Sequence, residues 1–153
     1  MTAWHYNWIK KHIGQKGWEA EHCVKGMRFD CFNEQQGLVL EFQSQLDDTY
    51  IREKTSAVIA LGLSIKWILN NNIMSTLDFI NGAYRGRTNR KLNILRLLHD
   101  YLDNETVRFY VDTHSDSGRG LSSKGLIELN PIGNHHHTGD ELNIYKISIA
   151  SVI

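Results

Sequence analysis

EHCVKGMRFDCFNEQQGLVLEFQ, residues 21–43, decides how this chain folds. Two turn signals divide it: Lys25-Gly26, and the polar run NEQQG at 33–37. Breaks of this kind between apolar runs mark hairpin connections. With the residues before it, the stretch predicts strands at 18–24, 27–32 and 38–43, an antiparallel meander. Four polar side chains sit in these strands where a plain core would not place them: Glu21, Asp30, Glu41 and Gln43. Glu41 and Gln43 are two apart and so share one face of a strand. Leu38, Val39, Leu40 and Phe42 surround them. A carboxylate in an apolar strand is costly unless something compensates its charge, and a divalent cation is the usual compensation.

Working outward, residues 3–15 predict a helix whose apolar stripe is Trp4, Trp8 and His12, at i, i+4 and i+8. His5, Lys10, Lys11 and Lys16 take other positions, and Gly14 and Gly17 bracket the stop. A second helix is expected at 46–61. Asp47, Asp48 and Thr49 open it, Tyr50, Lys54 and Ala57 give it a mixed face beside Ile51, Val58 and Leu61, and Gly62 ends it. LSIKWIL, 63–69, is a fourth strand. A helical crossover returns it beside the third, which makes the two parallel. Beyond it the pattern predicts a short helix at 75–83, a basic loop YRGRTNRK at 84–91 and an amphipathic helix at 91–102. Strands at 107–111 and 126–129 and a strand-like end at 142–153 follow. The fold class is therefore α/β, a mixed central β-sheet flanked by helices.

A length of 153 residues suits one domain, and a hydrophobic content of 41% is ordinary for a globular chain. Seventeen basic and seventeen acidic residues leave no net charge. That argues against a general basic coat for nucleic acid and permits only a local patch. Arg85, Arg87, Arg90 and Lys91 are that patch, with Tyr84 beside it to stack on a base. The alternative for them is a solvated helix start. The N-terminal MTAWHYNWIKKHIG has no apolar segment of the signal-peptide kind, and no apolar run approaches membrane-spanning length. The two cysteines, Cys23 and Cys31, are expected as reduced thiols of a cytoplasmic protein. With His22 they lack zinc-ligand spacing. His135, His136 and His137 read as an exposed loop, and Asp112, His114 and Asp116 as a polar turn.

Hydrolysis of a phosphodiester by a metal needs acidic oxygens on adjacent strands to hold the ion. It also needs a group that orients water or stabilises the developing charge. Asp30 on one strand and Glu41 on the next meet the first need. Gln43, on the Glu41 face, offers an amide for the second. On an ordinary meander Asp30 and Glu41 would instead be solvated carboxylates, Gln43 a surface glutamine, and His5 a capping or half-buried helix residue.

Several pieces occur in order: Trp4-His5 with Trp8 and Lys10, then Glu21, Arg28-Phe29-Asp30, and Glu41-Phe42-Gln43-Ser44. Arg52 in the next helix and Trp67-Ile68-Leu69 at the end of the next strand complete the series. The arrangement resembles the PD-(D/E)xK nuclease superfamily, and within it the CoiA-like competence nucleases and related phage and bacterial proteins. The resemblance covers a core of residues 3–70. It leaves 71–153 as a C-terminal extension to which no motif assigns a role. It implies a restriction-endonuclease-like core with Asp30 and Glu41 as ligands of Mg²⁺ or Mn²⁺. It puts Gln43 where a catalytic lysine is commoner, with Lys10, Lys25 or Lys66 as substitutes for that charge. Glu21 completes or orients the site, and His5 faces it from the first helix.

The expected function is a metal-dependent nuclease cleaving phosphodiester bonds of nucleic acid, DNA in the first place. It would act in the cytoplasm of a bacterium or a phage-infected cell, with no membrane partner. A homodimer or a protein partner that helps enclose the substrate is left open. The alternative is a catalytically silent nuclease-fold module that binds nucleic acid or protein.

Overall fold

Lys25 and Gly26 both have positive φ, 48° and 79°. Two such residues in succession form the hairpin turn whose twist matches that of its strands. They join β1 (Trp18–Val24) to β2 (Met27–Asn33), paired from Trp18↔Asn33 to Val24↔Met27. The computed structural model describes residues 2–12, 17–45, 47–70, 97–98, 100–101, 104–112, 126–131 and 144–148. β3 (Leu38–Gln43) pairs antiparallel with β2 through Cys31↔Leu40, Phe32↔Val39 and Asn33↔Leu38. These are the three meander strands that the sequence predicts.

The crossover follows. Asp47 caps α2 (Asp48–Ala60), its side chain accepting from the Tyr50 N–H at 3.1 Å. Ile51, Thr55 and Val58 recur at helical spacing and are the helix's buried residues. The chain leaves through Leu61 and Gly62, whose φ of 75° suits glycine. It returns as β4 (Ser64–Leu69), parallel to β3 in the register Leu38↔Ser64 to Gln43↔Leu69. β5 (Val107–Asp112) extends the sheet in parallel, and β6 (Leu126–Pro131) and β7 (Ile144–Ser148) in antiparallel fashion. The described strands form one mixed sheet in the order β1 to β7. β6 runs on to Pro131, beyond the predicted strand, in register with Ile144 of β7.

Each face of the sheet carries its own core. Against one face lies α1 (Ala3–His12). Trp4, Trp8 and Ile9 are buried there with Leu40, Phe42, Ile68 and Tyr110. Thr2 accepts the His5 N–H at 3.1 Å and so caps the helix start. Against the other face lies α2, where Ile51 and Val58 meet Val39, Ile65, Trp67 and Phe109. The buried Trp67 indole donates to Thr55 Oγ1 at 2.9 Å, which satisfies both polar atoms in that layer. Leu97 and Leu98, helical and fully buried, join this core from within the predicted 91–102 helix.

The side chain of His12, residues 13–15 of the first predicted helix, the predicted helix 75–83 and the basic loop 84–91 lie outside the described residues. So do His114, Asp116 and the three histidines 135–137. No described helix is long and apolar enough to cross a membrane.

Candidate active site

The two ladders flanking β2 both lapse at Asp30. Between β1 and β2 the register omits the Glu21–Asp30 pair, and between β2 and β3 it stops at Cys31↔Leu40, one step short of Asp30 and Glu41. Side chains replace the missing ladder bonds. The Asp30 N–H donates to Glu41 Oε2 at 2.6 Å, and the Phe42 N–H donates to Asp30 Oδ2 at 2.8 Å. Each carboxylate thus satisfies an amide of the opposite strand, and the two are clasped together.

The pleat is reset at the same point. Phe29 and Phe32 are three apart, yet both lie in the α2-side core, while Cys31 lies in the α1-side core. Strict alternation would separate the two phenylalanines. Opposite Asp30, Glu21 has a left-handed φ of 52°. A residue other than glycine rarely adopts it, at a cost of about 1–2 kcal/mol. The distortion of β1 and β2 is therefore centred on the acidic site.

Glu41 is buried, its side chain only 1% exposed. Lys54 of α2 reaches it, with Nζ 2.5 Å from Oε1. The same ammonium donates to the Tyr50 hydroxyl at 2.9 Å, and that hydroxyl lies 3.4 Å from Glu41 Oε1. Tyr50 and Lys54 are four apart on α2 and so present one face to β3. Burial, and next the neighbouring Asp30 charge, push Glu41 up to about 7, against the downward pull of Lys54. Burial alone would lower Lys54, but the Glu41 carboxylate and the two hydrogen bonds outweigh it and hold the ammonium above its ordinary value. Lys54 is thus a fixed cation rather than a base. Cys31, beside the acids, is pushed up to about 12 by burial and then by Asp30 and Glu41, which leaves an inert thiol.

His5 approaches from α1. Its Nε2 lies 3.0 Å from Asp30 Oδ2 and is sealed from solvent, yet off the line of a hydrogen bond. It is an orphaned buried nitrogen at the edge of an acidic pair. Gln43 is half-buried at the end of β3, and its backbone carbonyl accepts the Asn70 N–H at 2.9 Å. Glu21 stands apart: its carboxylate pairs with the exposed Arg28 at 2.5 Å.

The structure thus brings Asp30, Glu41 and His5 together, with Gln43 on the Glu41 strand and Glu21 outside. Arg85, Arg87, Arg90 and Lys91 lie outside the described residues. The cation beside Glu41 is none of the three expected lysines. Lys10 is exposed, Lys25 occupies the hairpin turn, and Lys66 is half-buried near Glu128 and Arg108. Lys54 was legible only as part of a mixed helix face beside Tyr50. Arg52 pairs with Asp100 at 2.9 Å on the exposed side of α2.

Among the described residues, no group of three or more His, Cys, Asp or Glu side chains is placed to hold a metal ion. Mg²⁺, however, is commonly held by one or two carboxylates, its remaining positions taken by water and substrate phosphate. Asp30 and Glu41 fit that regime. Both are hard oxygen donors, and Glu41 lies buried beside the Asp30 charge. No protein-family model matches the chain, and no curated protein and no solved structure matches it.

Proposed function

We propose that the Asp30–Glu41–Lys54 site hydrolyses phosphodiester bonds of nucleic acid, DNA in the first place, with Mg²⁺ or Mn²⁺ held by Asp30 and Glu41. The fold proposed for it is a restriction-endonuclease-like core in a reducing cytoplasm, where an exposed thiol such as Cys23 survives. The carrying observation is the contact of Lys54 Nζ with Glu41, 2.5 Å apart, beside an Asp30 locked by the Phe42 amide. Two acids, one buried and one part-buried, with one fixed cation form a minimal phosphoryl-transfer constellation. The bound cation would polarise the phosphoryl group and lower the pKa of its water.

The remaining chemistry falls to the chain itself. Lys54, held protonated, offers its charge to the phosphoryl oxygens as negative charge builds. That supplies what the neutral Gln43 amide cannot. Gln43 orients water from the end of β3. His5 lies against Asp30 from the other side of the sheet. The Phe42 amide fixes the Asp30 carboxylate so that little reorganisation accompanies reaction.

A silent scaffold is the rival reading, and one observation favours it: Lys54 already neutralises Glu41 internally. Calorimetry with Mg²⁺ and Mn²⁺, alongside a cleavage assay, separates the two. The nuclease reading expects binding that Glu41→Gln abolishes, together with cleavage. Binding without cleavage of DNA or RNA favours the scaffold, and the absence of binding removes the metal-dependent reading.

A further inference from the structure

We propose that the open groove between the β1–β2 turn and α2 holds one unpaired nucleotide, its base against Tyr50 and its phosphate toward Lys54 and Arg28. The inference rests on the nucleic-acid reading above for the class of ligand. It adds that the substrate enters as a single strand or a frayed end.

The groove has a volume of about 370 Å³, and Met27, Arg28, Tyr50, Glu53, Lys54 and Ala57 line it. That is near the lower end of the ~300–1,000 Å³ range of small-ligand sites. A single nucleotide suits such a space. Tyr50 is 40% exposed and is held in place rather than loose. Lys54 donates to its hydroxyl at 2.9 Å, and Trp67 meets it edge-on at 6.1 Å. A fixed, part-exposed aromatic is the platform on which unpaired bases stack without regard to sequence. Met27 and Ala57, both half-buried, add apolar wall.

Two cations, Lys54 and Arg28, line the groove with Glu53, and each already pairs with a carboxylate, Glu41 and Glu21. Arg28 is paired with Glu21, but both are exposed and solvent already screens the pair, so a phosphate can compete for the guanidinium. Lys54 touches Glu41 and lines the groove at once. A phosphate drawn to its ammonium therefore lies next to the acidic pair. Binding and reaction would share one cation.

The test uses the full chain in EDTA, where no metal-dependent cleavage occurs, and reads fluorescence anisotropy. The probes are a labelled oligothymidylate and a blunt duplex of equal length. Met27→Glu places a carboxylate in the wall and Ala57→Phe fills the groove, and neither residue belongs to the catalytic machinery. The expected result is single-strand binding at least about tenfold tighter than duplex binding, the scale of one stacked base. Each substitution then weakens it about tenfold in protein that circular dichroism shows to be folded, Met27→Glu with a lowered thermal midpoint because Met27 packs against the α2-side core. Equal affinity for the two probes, or single-strand binding unmoved by both substitutions in folded protein, overturns the subsite. Cleavage that persists while both substitutions leave binding untouched refutes the subsite and not the nuclease. Groove-dependent binding with no metal-dependent cleavage refutes the nuclease and supports the subsite.

Discussion

Glu41 is a carboxylate whose surroundings resist its charge, although a lysine touches it. Burial raises it from 4.5 to about 7. A raised carboxyl contributes stability that is fully present below its unfolded value. The contribution is lost as pH rises through the folded value, because the native state then holds the proton more tightly than the unfolded chain. The window runs from about pH 4.5 to about pH 7. The loss is on the order of a few kcal/mol, at about 1.4 kcal/mol per pH unit. Urea unfolding at pH 5 and pH 8 should show that loss in the wild type, and Glu41→Gln should flatten the slope across the window. An equal slope in both proteins would mean that Glu41 ionises freely. Glu21 offers a second residue-scale test. Its left-handed φ predicts that Glu21→Gly changes stability by no more than about 1 kcal/mol, since relief of strain offsets the exposed Arg28 pair. Glu21→Val should cost about 1–2 kcal/mol, because a β-branched residue resists that conformation most. Both values come from denaturant midpoints.

The elements were legible to different depths. The start of α2 could be read only as the group Asp47, Asp48 and Thr49, of which Asp47 is the cap that accepts the Tyr50 amide. Which way α2 turns its polar side chains could not, because that depends on how the helix sits on the sheet. Lys54 therefore appeared in sequence only as one member of a mixed face. The break in β2 was equally hidden: no residue-type signal marks where a pleat resets, and Asp30 fits an alternating strand on paper. α1 shows a further kind of hidden contact. Trp4 and Trp8 read as an apolar stripe, and they are buried. Yet both indoles also donate to Asp112 Oδ2, at 2.9 Å and 3.1 Å, across 108 and 104 residues of sequence. Asp112 reads as the start of a polar loop and is instead the fully buried end of β5. Trp8→Phe keeps most of the ring and removes one donor from that carboxylate. It should cost about 1–3 kcal/mol by urea unfolding, with an unchanged dependence on denaturant concentration. A cost near zero would mean that α1 is held by apolar contact alone.

At the scale of the molecule, the first seventy residues carried their topology openly. Short turns forced the antiparallel meander, and a helical crossover forced β4 parallel to β3. The site then follows from the sheet order, because β2 and β3 are neighbours and α2 crosses from one end of β3 to β4. What sequence alone could not supply was the partner of each charge, since Glu41 and Lys54 meet only once the crossover is folded. The central claim is that this meeting forms a hydrolytic centre. Cleavage of labelled single-stranded and duplex DNA, with Mg²⁺ or Mn²⁺ against EDTA, tests it most directly. Cutting is expected only with metal, slowed at least about 100-fold by Asp30→Asn and by Lys54→Met while circular dichroism stays unchanged. No metal-dependent cutting by the wild type, or cutting at an undiminished rate by Asp30→Asn, would contradict it.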